Sequence, residues 1–79
     1  MQQWIRIHPA DNVLIAAATL EAGEEIKINE HSIRLRQKIE TGHKIAARDM
    51  QPGENIIKYG VPIGSSSAFI PAGAHVHLN

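Results

Sequence analysis

Three seven-residue stretches of this chain repeat one pattern: LEAGEEI (20–26), MQPGENI (50–56) and IPAGAHV (70–76). Each sets an apolar residue, two spacers, a glycine, two more spacers and a second apolar residue in order. The central glycine supplies a backbone angle that other residues resist, and the flanking apolar side chains can plug a common core. Three such corners in 79 residues predict a compact, pseudo-repetitive β fold. Their uneven spacing excludes a solenoid.

The segments between the corners agree. WIRIH (4–8) alternates, with Ile5 and Ile7 on one face and Trp4, Arg6 and His8 on the other. EIKIN and SIRLR alternate through Ile26, Ile28, Ile33 and Leu35, and INEHS between them reads as a hairpin connection. The run NVLIAAATL admits a helix, because it is alanine-rich and Asp11 is a candidate N-cap. Contiguous Val13, Leu14 and Ile15 fit a buried strand over 13–17 better. Pro52, Pro62 and Pro71 forbid long helices in the second half, and a single helical turn over 46–49 is the one helical piece expected. The expectation is one all-β domain over 1–79.

A chain this short buries only roughly 60% of its unfolded surface, so its core is thin and a partner or a neighbouring domain would add stability. Eight Lys and Arg balance eight Asp and Glu, which removes the basic face a nucleic-acid binder needs. Zero net charge also leaves homo-oligomerisation open. No cysteine is present, so disulfides, thiolate nucleophiles and cysteine-based zinc sites are excluded. The N-terminus has no apolar run behind a basic segment, and the uncharged aliphatic stretch 12–20 is too short to span a bilayer. A soluble cytoplasmic domain, with no membrane partner, is the resulting expectation.

Several polar residues stand where chemistry is conceivable. His75 and His77 are two apart, so a strand there puts both imidazoles on one face, either as half of a metal site or as two solvated side chains. His8, Asp11 and Asn12 follow a strand, as a functional loop or as a turn whose carboxylate or amide bonds back to the backbone; spacing alone favours the turn. His43 and Lys44 follow Gly42, and Lys58 and Tyr59 precede Gly60. A lysine and a tyrosine beside glycine can hold a carboxylate, or can be a basic rim with a tyrosine over the core edge. His31 reads as solvated surface, and Arg34, Arg36 and Lys38 as an exposed stripe.

Taken in order, IHPADNVLIA, GHKIAARDM, IIKYGVPIG and GAHVHLN resemble the altronate/galactarate dehydratase family, in its SAF-type domain. The resemblance covers 5–79 and extends to the small subunit of related lyases such as sulfolactate sulfo-lyase. It implies a compact β-clip fold with at most one or two helical turns, a fold also found in type III antifreeze proteins. His8, Asp11, Asn12, Gly42, His43, Lys44, Tyr59, Gly60 and Gly64 match the family's recurrent positions, and Lys58 matches a position that also takes arginine. The departure is GSSSAF (64–69), where members usually carry Gly-Tyr-Ala, and it bears on which acid is the substrate.

What the resemblance implies is a share in a sugar-acid hydro-lyase. Such enzymes take a proton α to a carboxylate, stabilise the enediolate with a divalent metal, and expel water or bisulfite from the β position. On this reading His43 and Lys44 are catalytic, while Asn12, Lys58, Tyr59 and Gly60 contact the substrate. His8, Asp11, His75 and His77 would be metal ligands. The metal is Fe(II), Mn(II) or Mg(II) in the assembled enzyme, and the isolated domain need hold none. A large catalytic lyase domain or subunit is the implied partner, and the lone chain is expected to be inactive. The alternative is a non-catalytic appendage that binds the sugar acid or props up a larger lyase. An ice-binding surface is disfavoured, since only SSSA (65–68) offers a weakly charged run of small residues.

Overall fold

The computed structural model describes residues 3–77, and among them there is no helix. Seven short strands carry the fold: β1 (Trp4–Ile5), β2 (Val13–Ala16), β3 (Glu25–Ile28), β4 (His31–Arg34), β5 (Lys44–Ala46), β6 (Asn55–Lys58) and β7 (Val61–Ser65). β1, β2 and β5 form an antiparallel sheet in that order, and β3–β4 and β6–β7 are hairpins. The buried run Val13, Leu14 and Ala16 is strand, as its contiguous aliphatic residues predict. Residues 46–49, expected to form a helical turn, instead leave β5 through a bend. The Ala46 carbonyl accepts the Gly73 N–H and the Met50 N–H goes to the Ile70 carbonyl, so the bond a helical turn would make between them is replaced by two long-range ones.

The corners explain the architecture, and there are four of them. The same pattern recurs at IETGHKI (39–45), with Gly42 at φ 86° beside Gly23, Gly53 and Gly73 at 87°, 83° and 87°. In every corner the residue after the glycine donates its N–H to the carbonyl three positions back: Glu24 to Glu21, His43 to Glu40, Glu54 to Gln51, Ala74 to Pro71. Corners then pair. Leu20 and Ile39 exchange backbone hydrogen bonds of 2.9 and 2.8 Å, and Met50 and Ile70 do so at 2.8 and 2.9 Å.

The domain is therefore one unit used twice. A strand (β2, then β5) leads to a corner, a hairpin and a second corner, with a shift of thirty residues between Ala16 and Ala46, Gly23 and Gly53, and Asn29 and Tyr59. Asn29 and Tyr59 occupy the same hairpin position and share the left-handed conformation, φ 55° and 57°. A bulge in β6–β7 between Ile56 and Ile57 leaves Ile63 as an extra residue, which makes the later corners thirty-one apart.

The domain has two cores, and β2 and β5 each contribute to both. Leu14, Leu20, Ile26, Ile28, Ile33, Leu35, Ile39 and Ile45 pack together in the first, with Trp4 against them. Val13, Ala46, Met50, Ile56 and Val76 fill the smaller second core. Gly73 joins the units, since a Cβ there would collide with the carbonyl oxygen of Arg34. Ile5 and Ile7 do not belong to either core. They face outward, about half exposed, while the opposite face of that segment, carrying Trp4, turns inward.

Candidate functional site

The closing corners of the two units, 39–45 and 70–76, cross one another. Ile45 and His75 form an antiparallel bridge, and the Val76 N–H donates to the Lys44 carbonyl at 3.0 Å. This crossing brings together residues more than thirty positions apart. His43 Nδ1 lies 3.0 Å from His75 Nε2, and His75 Nδ1 lies 2.8 Å from His77 Nε2. Gln37 fixes the middle residue by accepting the His75 N–H at 3.2 Å. A hollow of about 320 Å³ opens here, lined by Gly42, His43, Lys44, His75, Val76 and His77.

Three imidazoles in a row have a definite proton logic. When all are neutral, each contact is satisfied if the rings share one tautomer, so that every Nε2–H points at a neighbour's Nδ1 or at solvent. One added proton is accommodated, because a charged His75 donates in both directions. Two adjacent charged rings would set N–H against N–H. Burial, followed by the fields of His77, His43 and Lys44, lowers the pKa of His75 from its ordinary 6.5. At neutral pH His75 is a neutral base with a cation, Lys44, beside it. The group can take a proton, and the ammonium can hold a carboxylate.

His8, Asp11 and Asn12 lie elsewhere. They precede β2, whereas His43 and Lys44 sit by its far end, where the Ala16 N–H meets the His43 carbonyl. About 13–16 Å of strand separates the two groups. Asp11 is buried, with Oδ1 accepting the Gly60 N–H at 2.8 Å and Oδ2 the His8 N–H at 3.1 Å. Burial would raise its carboxyl, but the amides of Gly60, Tyr59 and His8, with the His8 ring nearby, outweigh this and hold it below 3.8. Asn12 clamps β6: its Nδ2 donates to the Asn55 carbonyl at 2.9 Å and its Oδ1 accepts the Ile57 N–H at 2.8 Å. These side chains tie the second hairpin to β2 through bonds that span 43–49 residues, and only the His8 N–H contact to Asp11 is local.

Lys58, Tyr59 and Gly60 form the tip of that hairpin. The Lys58 ammonium stands 4.9 Å from the centre of the exposed Tyr59 ring. Gly60 holds the left-handed conformation that favours glycine, φ 77°, and the exposed His8 imidazole lies over it, 2.9 Å from where a Cβ would sit. The residues expected to bind substrate and those expected to catalyse thus occupy opposite ends of β2. His31, Arg34, Arg36 and Lys38 are exposed, as expected. A larger hollow of about 550 Å³ beside β4 is bordered by Arg34 and Arg36, and it contains no acid–base group.

The four residues expected to share a metal are split accordingly, with His8 and Asp11 at one end and His75 and His77 at the other. Both Asp11 oxygens are engaged by amides, and the imidazoles turn their nitrogens on one another rather than on a common point. Among the described residues no three His, Cys, Asp or Glu side chains are set to hold one ion. Among the described residues the donor set does not by itself amount to a metal cage.

Spacing paired His75 with His77, yet gave no sign of His43 and Gln37 beside them. The signal was the fourth corner, IETGHKI, whose likeness to IPAGAHV makes the two equivalent and free to cross. Gln37, amid RLRQK, left no signal beyond its polarity.

Comparison with known proteins matches residues 2–79 to the family described as the altronate/galactarate dehydratase SAF domain. An altronate dehydratase of Escherichia coli (strain K12) is 48% identical over 77 residues, which cover 98% of this chain and 16% of that protein. One from Bacillus subtilis (strain 168) is 39% identical over 79 residues, again 16% of its length. The subunit alpha of a (2R)-sulfolactate sulfo-lyase from Chromohalobacter salexigens is 31% identical over 81 residues, covering 92% of this chain and 86% of that subunit. The chain thus spans about a sixth of the altronate dehydratases and most of the sulfo-lyase subunit.

Proposed function

The chain belongs to the altronate/galactarate dehydratase SAF domain family, and from that membership we propose that it forms one wall of a composite lyase site acting on a 2-hydroxy sugar acid. The wall is the hollow of His43, Lys44, His75 and His77, and the rest of the site belongs to a larger lyase domain or subunit. The observation that carries this reading is the imidazole row, whose nitrogens stand 3.0 and 2.8 Å apart beside a lysine. Neutral imidazole next to an ammonium suits an elimination that moves a proton near a carboxylate. Lys44 holds the acid group, and the histidine row accepts or returns the proton.

Proton abstraction next to a carboxylate also needs exclusion of water and a second set of groups on the other side of the substrate. The hollow is open, so closure has to come from the partner. A divalent ion such as Fe(II), Mn(II) or Mg(II), whose chemistry is to stabilise the enediolate, would draw its ligands mainly from that partner.

The test uses the assembled lyase with His43→Gln and His75→Gln, assayed on altronate, galactarate and sulfolactate. Loss of acid–base help lowers kcat by on the order of 10²–10⁴. A domain that only binds substrate would show a raised KM with kcat intact, and that result would favour the appendage reading instead.

A further inference from the structure

The two halves of the domain differ at one exposed place. At the first hairpin tip the residues are Asn29, Glu30, His31 and Ser32, all polar. The equivalent residues of the second tip are Tyr59, Gly60, Val61 and Pro62. The same fold therefore tolerates a polar tip, and the apolar one answers to something outside it. Tyr59 and Val61 are 55% and 54% exposed, and the bulge residue Ile63 is 38% exposed.

A second apolar strip adjoins this tip. The His8 ring lies against Gly60, so the end of the segment that carries Ile7 reaches the second hairpin, while Ile5, paired with Ile15, stands back along β2. These are the isoleucines that alternate like core residues and yet face outward, at 49% and 45% exposure. Ile7, Tyr59, Val61 and Ile63 all lie within three residues of the His8–Gly60 contact, are 38–55% exposed, and make up an apolar surface of the kind that is usually functional on a small protein. It would supply the apolar centre of an interface of standard size, about 800 Å² on each side.

We infer that this patch is the surface by which the domain docks onto the larger lyase region, an inference that rests on the composite-site reading above. The occupant follows from proportion: the altronate dehydratases carry about five-sixths of their length outside the part that matches this chain, and the sulfo-lyase relative is by name one subunit of an assembly. A small module of this kind has a large neighbour to cover its apolar face. Pro62 removes a backbone donor from β7, which disfavours edge-to-edge strand addition by a second copy. The occupant meets the side chains of the patch and leaves the histidine hollow, at the far end of β2, free to face the substrate.

The test measures binding of the chain to the larger lyase region, supplied as a separate polypeptide, by titration calorimetry. Ile7→Glu/Val61→Glu is expected to raise Kd at least 100-fold, while Lys27→Glu, an exposed change on β3, leaves it within threefold. Ile7→Leu/Val61→Leu should restore binding. Because both positions are half exposed, circular dichroism of the double glutamate variant should match the unaltered chain. A folded double variant that binds within threefold of the unaltered chain overturns the docking surface and leaves the composite site standing. Failure of the unaltered chain to bind the lyase region at all overturns the composite site itself. Sedimentation that shows a dimer of this chain, lost in the double variant, with lyase binding unchanged, assigns the patch to self-association and overturns the proposal.

Discussion

The ring nitrogens His43 Nδ1 and His75 Nε2 approach to 3.0 Å, although thirty-two residues separate them in the chain. They meet because their two corners are equivalent parts of a repeated unit and cross at the Ile45–His75 bridge. The contact is thus a product of the fold's internal repetition.

His75 is expected to titrate below 6.5, with burial as the leading cause and the fields of His77, His43 and Lys44 adding to it. NMR of the imidazole resonances reads this directly, and a midpoint at or above 6.5 would contradict it. Lys44→Gln should raise the midpoint only slightly, since burial dominates. The sign for stability follows: the unfolded chain binds the proton first, so this contribution is intact above 6.5 and declines as pH falls toward the folded value.

Asp11 provides a second pH dependence in a different window. Its folded pKa lies below 3.8, so its contribution is present above 3.8 and is lost as pH falls through the folded value. Melting temperatures measured from pH 5 down to pH 2 should fall, and Asp11→Asn should flatten that part of the curve. The variant should also melt lower at neutral pH, because an amide in place of the carboxylate satisfies the Gly60 and His8 amides less well. An unchanged slope below pH 4 would count against the assignment.

Two glycines of like conformation should respond differently to alanine. Gly23 has open space around its missing Cβ, so Gly23→Ala costs only the left-handed strain, about 1 kcal/mol. Gly73 abuts the Arg34 carbonyl, so Gly73→Ala adds a backbone collision and costs about 3 kcal/mol or more. Urea unfolding of both variants separates the two effects. Equal losses would show that the units are not locked at Gly73.

Tyr59 holds a conformation that suits asparagine better, as its counterpart Asn29 illustrates. Tyr59→Asn relieves about 1 kcal/mol of left-handed strain and forfeits about 0.5 kcal/mol from the exposed Lys58 contact. A net gain of roughly 0.5 kcal/mol is expected in denaturant unfolding, together with weaker binding to the larger lyase region. A destabilised variant would mean that the ring contributes more at this position than its surroundings suggest.

Much of the fold was legible in the sequence. Alternation at Ile26, Ile28 and Ile33 and glycine at the corners are local signals, and they placed the first hairpin and three corners. Ile5 and Ile7 show where that logic stops, because alternation identifies an apolar face without saying whether this chain or another one covers it. The helical turn expected at 46–49 yielded to the long-range bonds of the Ala46 carbonyl with Gly73 and of the Met50 N–H with Ile70. The site was legible as residue types only. That Asp11 and Asn12 would clamp the second hairpin, or that His43 would meet His75, depends on partners more than thirty positions away.

The histidine hollow lies on the seam between the two repeated units, with His43 contributed by one and His75 by the other. Neither unit alone carries both halves of it. Any anion that settles there bridges the seam, and its site exists only while the two units hold together. Occupancy should therefore register as a rise in the melting temperature of the whole domain, so that an array of sugar acids can be ranked by thermal shift before the rest of the lyase is in hand.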